Sequence, residues 1–492
     1  MYLIMFKRSN SVELFTNKVM DYMTDDYILV KKSEFIKSAI EKLKELKKST
    51  ILIEENGQVC GIITEKDILK RVAFNANEQT TVNQVMSQPV KFVYDDDLLF
   101  HAVGKMRKLN LHHLPVFDMS SKVLGMIDMN TALTAELGDL VFQIDHMTYD
   151  EQDVSGLIKI KQQQINLAEN LLNRNVYPGD ISYLLSFLNN VIYRRAIRLA
   201  EKRVKDKHII KDIPNFSVIV MGSGGRMESF LHPDQDNGLI YETNVNEDPK
   251  KIDLYFEELA KDFTKTLDDC GIPLCKGDLM ASNPLWRKSL PEWKAQVEQW
   301  LKNHAPQDMR HIDMLYDFRS VYGKIDLAED LRSFINDKLQ EKKLLKFLYF
   351  SEEESDAAIG FFGQFIVEKN DNENKGFLNL KHTGTLPLVE SIRLYSIKNK
   401  ITKISTFERL DELNNLKVLS EDETDFFKNA HRFMSNILLR NQVERTKKGL
   451  SIKNFIDPKQ LLEREKSVLK IYLKKIRDLK QRVRVDIGEE YF

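Results

Sequence analysis

Residues 218–241 read VIVMGSGGRMESFLHPDQDNGLIY. The apolar run FSVIVMG has the composition of a buried β-strand. It enters GSGGR, where glycines permit unusual φ and close backbone approach, and where amide N–H groups at a helix start can face an anion. RMESFLH is expected as a short helix stopped by Pro233, and DQDNGLIY as the start of a second strand. Side chains at i and i+2 of a strand share a face, so Asp234 and Asp236 should point one way and Gln235 the other. Two such carboxylates can hold divalent ions about 4 Å apart, an arrangement that activates an attacking oxygen and neutralises a polyphosphate leaving group. The bland alternative is a solvated acidic strand edge. An isolated Asp-x-Asp does not separate the two readings, but its place after strand, Gly-Ser loop and helix favours a phosphate and metal site.

That chemistry wants a third carboxylate. HIDMLYDFRSVYG, 311–323, alternates Met314, Tyr316 and Phe318 with Leu315, Asp317 and Arg319, which predicts a strand with Asp317 and Arg319 on one face. A charged pair among apolar strand residues needs a reason. It is either a third ligand with an orienting arginine or a buried structural ion pair. Asp278, in a turn-like Lys-Gly-Asp stretch, is a rival third carboxylate.

With 492 residues the chain is too long for one core and predicts several domains. Its 42% apolar and 30% charged residues describe an ordinary globular protein, and a net charge of −1 argues against a broad nucleic-acid or membrane surface. Three cysteines, Cys60, Cys270 and Cys275, are too few for a disulfide framework and fit a reducing compartment. Cys270 and Cys275 lack nearby Cys/His partners, so buried thiols are expected rather than zinc. MYLIMF lacks a preceding basic stretch, and no apolar run approaches the roughly 20 residues of a spanning helix. The expected location is cytoplasmic, with no membrane partner.

The front of the chain repeats itself. VMDYM at 19–23 returns as VMSQPV at 85–90, and ILIEENGQVCGIITEKDILKRV, from 51, returns as PVFDMSSKVLGMIDMNTAL, from 115. Met20 to Met86 is an offset of 66 and Gly61 to Gly125 one of 64. Each unit reads as an amphipathic helix, a strand, a tight turn and a second strand, with Asn56-Gly57 a hairpin signal and Thr64 an N-cap. Residues 15–137 resemble a tandem pair of CBS motifs. The resemblance implies a cleft for AMP, ADP or ATP, with Asp67 on the ribose and Thr64 nearby, and it leaves structural pairing without ligand as the alternative. The second repeat departs from the pattern, placing Thr131 at the aspartate position and Asp128 at the threonine position. His112 and His113 precede LPVF and read as strand-edge residues. Such pairs often dimerise, so a homodimer through this module is an expectation.

Residues 138–207 read as a helical connector, with DVSGLIKIKQQQINLAENLLNRN and ISYLLSFLNNVIYRRAIRLAEKRVKD as its two helices. Transmission from the front module through it rests on placement alone.

Gly222-Ser223, ten intervening residues and then Asp234-x-Asp236 resemble the signature of the nucleotidyltransferase superfamily related to DNA polymerase beta. The resemblance implies a core over 208–326 with a mixed sheet, Mg²⁺ or Mn²⁺ on Asp234 and Asp236, and triphosphate held by Gly222, Ser223, Gly224 and Gly225. It leaves Arg226 as a phosphate contact or a compromise with the helix dipole. Asp317-x-Arg319 is similar to the arrangement in glutamine synthetase adenylyltransferases, which implies Asp317 as third catalytic metal ligand and Arg319 as its orienting partner. CKGDLMASNPLWR resembles a block of a bacterial nucleotidyltransferase family that carries CBS modules, distantly related to the PII uridylyltransferases. That family often has a cyclic-nucleotide-type domain in front, and none is expected to fit before residue 15. Asn283 and Arg287 are the polar residues placed near the nucleotide.

Trp286, Trp293 and Trp300 recur every seven residues and read as a packed helix face rather than a base-stacking platform. Residues 327–492 are expected to be mostly helical, interrupted by EKNDNENKGFLNLKHTG. Lys381 and His382 in its turn either reach the triphosphate or sit on a solvated tip. Residues 463–484 carry nine Lys/Arg against three Asp/Glu, a bias the C-terminal end of a helix favours without nucleic acid.

The resulting expectation is an α+β multidomain chain: a CBS pair at 15–137, a helical connector at 138–207, a polymerase-beta-like nucleotidyltransferase core at 208–326 and a helical bundle at 327–492. The expected activity moves NMP from an NTP to a hydroxyl on a protein or small molecule, under adenine-nucleotide control. The alternative is a non-catalytic nucleotide-sensing signalling protein. No nucleic-acid partner is expected, and neither the base nor the acceptor is legible.

Overall fold

The computed structural model describes residues 18–489, apart from 65–66, 73–76, 100, 101, 103, 104, 107, 108, 110, 129–153, 174–175, 206, 208–211, 244–246, 352–355, 372 and 451–453. Thr131 lies outside the described residues. The chain divides into two compact units, Met1–Asp150 and Glu151–Phe492.

The first unit holds two small three-stranded sheets. In one, β1 (Tyr27–Lys31) pairs parallel with β2 (Thr50–Glu55), and β2 pairs antiparallel with β3 (Gln58–Thr64). In the other, β4 (Val93–Tyr94) pairs parallel with β5 (His113–Phe117), and β5 antiparallel with β6 (Val123–Asp128). The repeat in the sequence is thus a repeat of one strand order. Asn56 and Gly57 both take positive φ, 53° and 79°, as the two-residue β2–β3 turn demands. Helix α1 (Ile36–Glu45) lays Ile36, Ala39 and Leu43 onto the first sheet, at the three- and four-residue spacing the sequence showed. Helix α2 (Val82–Val85) is capped by a Thr81/Gln84 box. His113 opens β5 opposite Asp128.

The second unit is built around a four-stranded sheet of order β10-β7-β8-β9. Strand β7 (Phe216–Val220) runs antiparallel to both β8 (Asn237–Tyr241) and β10 (Arg319–Gly323), and β9 (Arg287–Ser289) joins β8 in parallel. All five residues of β7 and of β8 are buried, which is why they read as continuous apolar runs rather than alternating ones. Helices α3 (Val154–Asn173) and α4 (Pro178–Lys205) pack on one another and on α6 (Pro249–Asp269), so the two helices of the expected connector lie in the second unit. Between β7 and β8 lies the four-residue helix α5 (Gly222–Gly225); the segment RMESFLH that follows is turn and irregular chain, not the helix expected there.

Helices α7 (Leu290–Asn303) and α9 (Ile325–Lys338) pack on the sheet, and α8 (Pro306–Tyr316) packs on α7. Residues 311–316 are the last turns of α8, so the strand expected over 311–323 begins only at Arg319. Pro306 at the first helical turn and the apolar spacing Met309, Ile312, Leu315 fit helix as well as alternation fits strand. The three tryptophans are buried together, with Trp286 centred 6.0 Å from Trp293 and 5.8 Å from Trp300. Trp286 sits in a 3₁₀ turn ahead of α7, not on its stripe, and Trp293 donates its indole N–H to Leu239 O at 3.0 Å.

The remainder is helical: α10 (Lys342–Ser351), α11 (Leu386–Lys398), α12 (Thr406–Asn415), α13 (Glu421–Lys447) and α14 (Glu463–Val483), with a two-stranded ribbon of β11 (Leu378–Asn379) and β12 (Phe455–Ile456). One apolar core runs from Ile219 and Ile240 in the sheet through these helices to Ile487. No described helix is long and apolar enough to cross a membrane.

Candidate functional site

The turn after β7 positions the first half of the site. Gly222 takes φ +57°, and a Cβ there would lie 3.5 Å from Asp236 Oδ2, so the loop passes close over the carboxylate. Met221 N donates to Asp236 O at 2.9 Å, which ties the loop to the chain leading into β8. Asp234 and Asp236 precede β8, whose first residue is Asn237. Their extended backbone still alternates: both carboxylates line one cleft, whereas Gln235 is buried on the other side, donating to Thr264 O and Ile272 O at 2.9 Å each.

The cleft is small and open to solvent, and Ser223, Gly224, Pro233, Asp234 and Asp236 form one wall. Helix α4 forms the opposite wall with Ser186, Asn189, Asn190 and Tyr193. These four recur at three- and four-residue spacing on one face of a buried helix. A polar stripe inside an otherwise apolar helix was the available signal for them, hidden because the same residues fit a half-solvated helix.

Electrostatics sharpen this geometry. Burial pushes the Asp236 carboxyl up to about 6; a hydrogen bond from the Cys275 thiol and the Lys381 charge pull it back, and Asp234 pushes it further up. Lys381, carried by the turn Lys381–Thr385 ahead of α11, is thus no solvated tip. Burial pushes its ammonium down, and the charges of Asp236 and Asp234 oppose that shift. The same turn holds His382, lowered by burial and by Lys381. Cys275 is half-buried and Cys270 buried, both free thiols.

Asp317 is not placed to be a third metal ligand. It is fully buried at the end of α8, and both oxygens are taken by guanidiniums: Arg409 Nη2 at 2.6 Å on Oδ1, with Arg226 Nη1 at 2.7 Å and Arg393 Nη1 at 2.9 Å on Oδ2. Burial alone would raise its carboxyl; Arg409, Arg393 and Arg226 outweigh that and hold it far below the ordinary range. Of the alternatives open in the sequence, the buried ion pair is the one realised, and it is a cage of three cations rather than a pair with Arg319. Arg319 donates instead to Gly225 O at 3.2 Å. Arg226 is committed to the cage on both sides, its Nε bonded to Glu228 at 2.8 Å. Glu228 in turn accepts from Thr406 N at 2.7 Å, and Arg393 also pairs with Asp313 at 2.5 Å. The cage therefore fastens the loop after β7 to α8, α11 and α12. Gly225 serves the same packing, since a Cβ there would lie 2.0 Å from Asp317 O.

Asn283 and Arg287 do not line the cleft. Asn283 caps the 3₁₀ turn at Leu285 N and donates to Asp278 Oδ2 at 2.9 Å, which also occupies the rival carboxylate. Arg287 is buried, donating to Ala281 O and Ser282 O at 2.9 and 3.1 Å. The sequence marks both as polar residues near a motif, and only the fold shows them spent on holding a loop.

Among the described residues no cluster of three or more His, Cys, Asp or Glu side chains could hold a metal ion. Two carboxylates beside the Ser223–Gly224 turn nevertheless fit Mg²⁺, which takes one or two carboxylates, substrate phosphate oxygens and water. In the first unit, Thr64 donates to Asp67 Oδ2 through both its amide, at 3.0 Å, and its hydroxyl, at 2.8 Å. Arg71 approaches Asp67 Oδ1 at 3.5 Å.

Comparison with known proteins places names on these segments. Residues 19–73 and 82–138 match the CBS domain family, residues 162–307 the family described as "Putative nucleotidyltransferase DUF294", and residues 342–487 the "Putative nucleotidyltransferase substrate binding domain". A homoserine O-acetyltransferase of Methanosarcina acetivorans is 32% identical over 110 residues, 22% of this chain and 20% of its own length. An uncharacterised 17.7 kDa protein of Acidianus ambivalens is 31% identical over 121 residues, 24% of this chain and 73% of its own. The chain spans about a fifth of the length of the first curated relatives it matches. Among solved structures, the CBS domain pair of protein MJ0100 in complex with 5′-methylthioadenosine and S-adenosyl-L-methionine is 28% identical, with a TM-score of 0.21 over 23% of this chain and 90% of that one. CBSX2 in complex with AMP is 23% identical, with a TM-score of 0.21 over 25% and 98%. In order along the chain, the matches are to the CBS domain family, twice, then to "Putative nucleotidyltransferase DUF294" and to the "Putative nucleotidyltransferase substrate binding domain".

Proposed function

We propose that this protein is a Mg²⁺- or Mn²⁺-dependent nucleotidyltransferase that moves NMP from an NTP to a hydroxyl of a protein or small molecule and releases pyrophosphate. One observation carries the reading: Asp234 and Asp236 face the same cleft as Ser223 and Gly224, with the Lys381 charge acting on both carboxylates. Asp234 and Asp236 would hold the metal, which when bound neutralises phosphate charge and favours the attacking oxygen. The Ser223–Gly224 turn presents backbone amides and a hydroxyl to the triphosphate. Lys381 offsets negative charge as pyrophosphate leaves, a positioned cation doing its work in a partly desolvated site. In the transfer itself the acceptor oxygen bonds to the α-phosphorus, the bond from that phosphorus to the pyrophosphate oxygen breaks, and the hydroxyl proton passes to solvent. Asp317 takes no part, because it is buried and its charge is met by three arginines.

Regulation by AMP, ADP or ATP at Thr64 and Asp67 belongs to the same proposal, supported by the hydrogen-bonded Thr64–Asp67 pair and by adenine-containing ligands named for CBS structures. A homodimer through the first unit, and a cytoplasmic site of action without nucleic-acid or membrane partners, complete it. The absence of a third carboxylate among the described residues favours a second reading, a nucleotide-sensing protein without transfer activity. The two separate in one experiment. The protein is incubated with Mg²⁺, cell extract and each labelled NTP, and label transfer and pyrophosphate are followed. Transfer lost in the Asp234→Asn/Asp236→Asn variant supports the enzyme; nucleotide binding with no transfer under any condition supports the sensor.

A further inference from the structure

Asn189 is 4% exposed, lines the cleft, and its amide nitrogen is a buried donor that no protein group accepts from. Its orientation is fixed from behind. Lys161, buried on α3, can only donate as an ammonium, and it gives its three hydrogens to Gln164 Oε1 at 2.9 Å, Asn189 Oδ1 at 3.1 Å and Leu231 O at 2.7 Å. Gln164 Oε1 is thereby used, so its Nε2 donates to Asn189 Oδ1 at 3.0 Å. The Asn189 carbonyl is pinned by two donors, which turns its NH₂ away from them. Burial pushes the Lys161 ammonium down to about 7. Lysine, glutamine and asparagine are thus buried at this one point without a carboxylate partner, and the network they form leaves a single group, the Asn189 amide nitrogen, unspent. Buried donors are almost always paired, and an unspent one on a residue that lines a cleft marks a place for an acceptor from outside.

We infer that Asn189 is a substrate-contacting residue that donates to a keto oxygen or ring nitrogen on the nucleoside part of the bound nucleotide. The inference rests on the cleft being a nucleotide site. Phosphate belongs at the other end, where Ser223, Gly224, Asp234, Asp236 and the Lys381 charge gather. Tyr193 marks that end on α4, its hydroxyl accepting from Asn237 Nδ2 at 3.4 Å beside Asp236. Asn189 stands one turn further along the helix, about 6 Å at 1.5 Å per residue. A neutral, donor-only amide at that remove suits the acceptor edge of a base. Lys161 and Gln164 act through Asn189 as positioning residues.

Asn189→Asp tests this with little change of shape: it keeps the oxygen that Lys161 and Gln164 hold and replaces only the NH₂. Binding of ATP, GTP, CTP, UTP and inorganic tripolyphosphate, each with Mg²⁺, is measured by titration calorimetry on full-length parent and variant, with thermal melts to check folding. Binding in the first unit contributes equally to both proteins, so the difference between them is read. The expected result is a loss of about tenfold for at least one nucleotide, with tripolyphosphate within twofold of the parent. Asn189→Ser, which also removes the NH₂ without adding charge, should show the same split. Unchanged affinity for all four nucleotides overturns the inference alone, as does a parallel fall for tripolyphosphate. Failure of every nucleotide and of tripolyphosphate to bind the parent overturns the nucleotide-site reading, and the inference with it.

Discussion

Replacing Asp317 by Asn separates a structural cage from a metal ligand. The carboxylate is fully buried and meets Arg409, Arg226 and Arg393 at 2.6, 2.7 and 2.9 Å. An asparagine of the same shape leaves three buried guanidiniums without their common counter-ion. Removing one partner of a buried pair costs about 3–5 kcal/mol, because the charge left behind is uncompensated. At an unfolding entropy of roughly 2.1 cal/mol/K per residue, that lowers the melting temperature of a cooperative unit the size of Glu151–Phe492 by about 4–7 °C. Thermal melts of parent and Asp317→Asn without added metal measure it. The pH dependence has a definite sign. The folded carboxyl sits below its ordinary range, so its contribution is complete at neutral pH and shrinks only as pH falls through and below that range. Asp317→Asn should therefore flatten the acid side of the stability profile. A metal ligand behaves oppositely: the variant would melt with the parent in the absence of metal and lose only Mg²⁺-induced stabilisation. A melting temperature within a degree of the parent refutes the cage.

Other perturbations follow from the same geometry. Asp236 holds a carboxyl raised to about 6 above an ordinary 3.8, so the folded state retains a proton that the unfolded chain has lost, and stability falls as pH rises between about 4 and 6. Asp236→Asn should abolish that slope in melts across the window and, together with Asp234→Asn, eliminate pyrophosphate release without unfolding the protein. Lys381→Met should weaken binding of inorganic tripolyphosphate with Mg²⁺ by about tenfold in calorimetry, the size of one charge-assisted contact; equal binding would remove Lys381 from the site. Gly225→Ala places a Cβ 2.0 Å from Asp317 O, so it should destabilise by about 1–3 kcal/mol in denaturant titrations, whereas an unchanged midpoint would contradict the close approach. Asp67→Ala removes the acceptor of both Thr64 bonds and should abolish AMP binding by the full chain, read by calorimetry.

The local signals were those of chain chemistry. Asn56-Gly57 announced a hairpin because only a tight primed turn suits two consecutive positive φ values. The repeat of about 65 residues announced a repeated sheet, and the two-residue step between Asp234 and Asp236 announced their shared cleft, because extended chain alternates whatever lies around it. HIDMLY failed as a strand because six residues fit a helix face and an alternating face equally well, and Pro306 and packing against α7 and α10 decided between them. Asp317, Arg226, Asn283 and Arg287 failed for a different reason. A charged side chain near a motif says that charge is needed, but its partner is set by what long-range packing brings up: Arg393 and Arg409 lie 76 and 92 residues from Asp317. Long-range packing likewise brought Asn189 to the cleft and the Lys381 charge within reach of Asp234 and Asp236, where the sequence offered only a polar stripe on a helix and a basic turn.

The sequence by itself determined strands β7 and β8, the β2–β3 turn and the pair of carboxylates, because each is fixed by a few neighbouring residues. Only the tertiary structure decided which charges were spent on holding the fold and which were left facing the cleft. Burial and ion pairing are properties of the assembled neighbourhood, and a buried carboxylate whose charge is already met by three guanidiniums presents no net negative charge to a metal, whatever its motif promised.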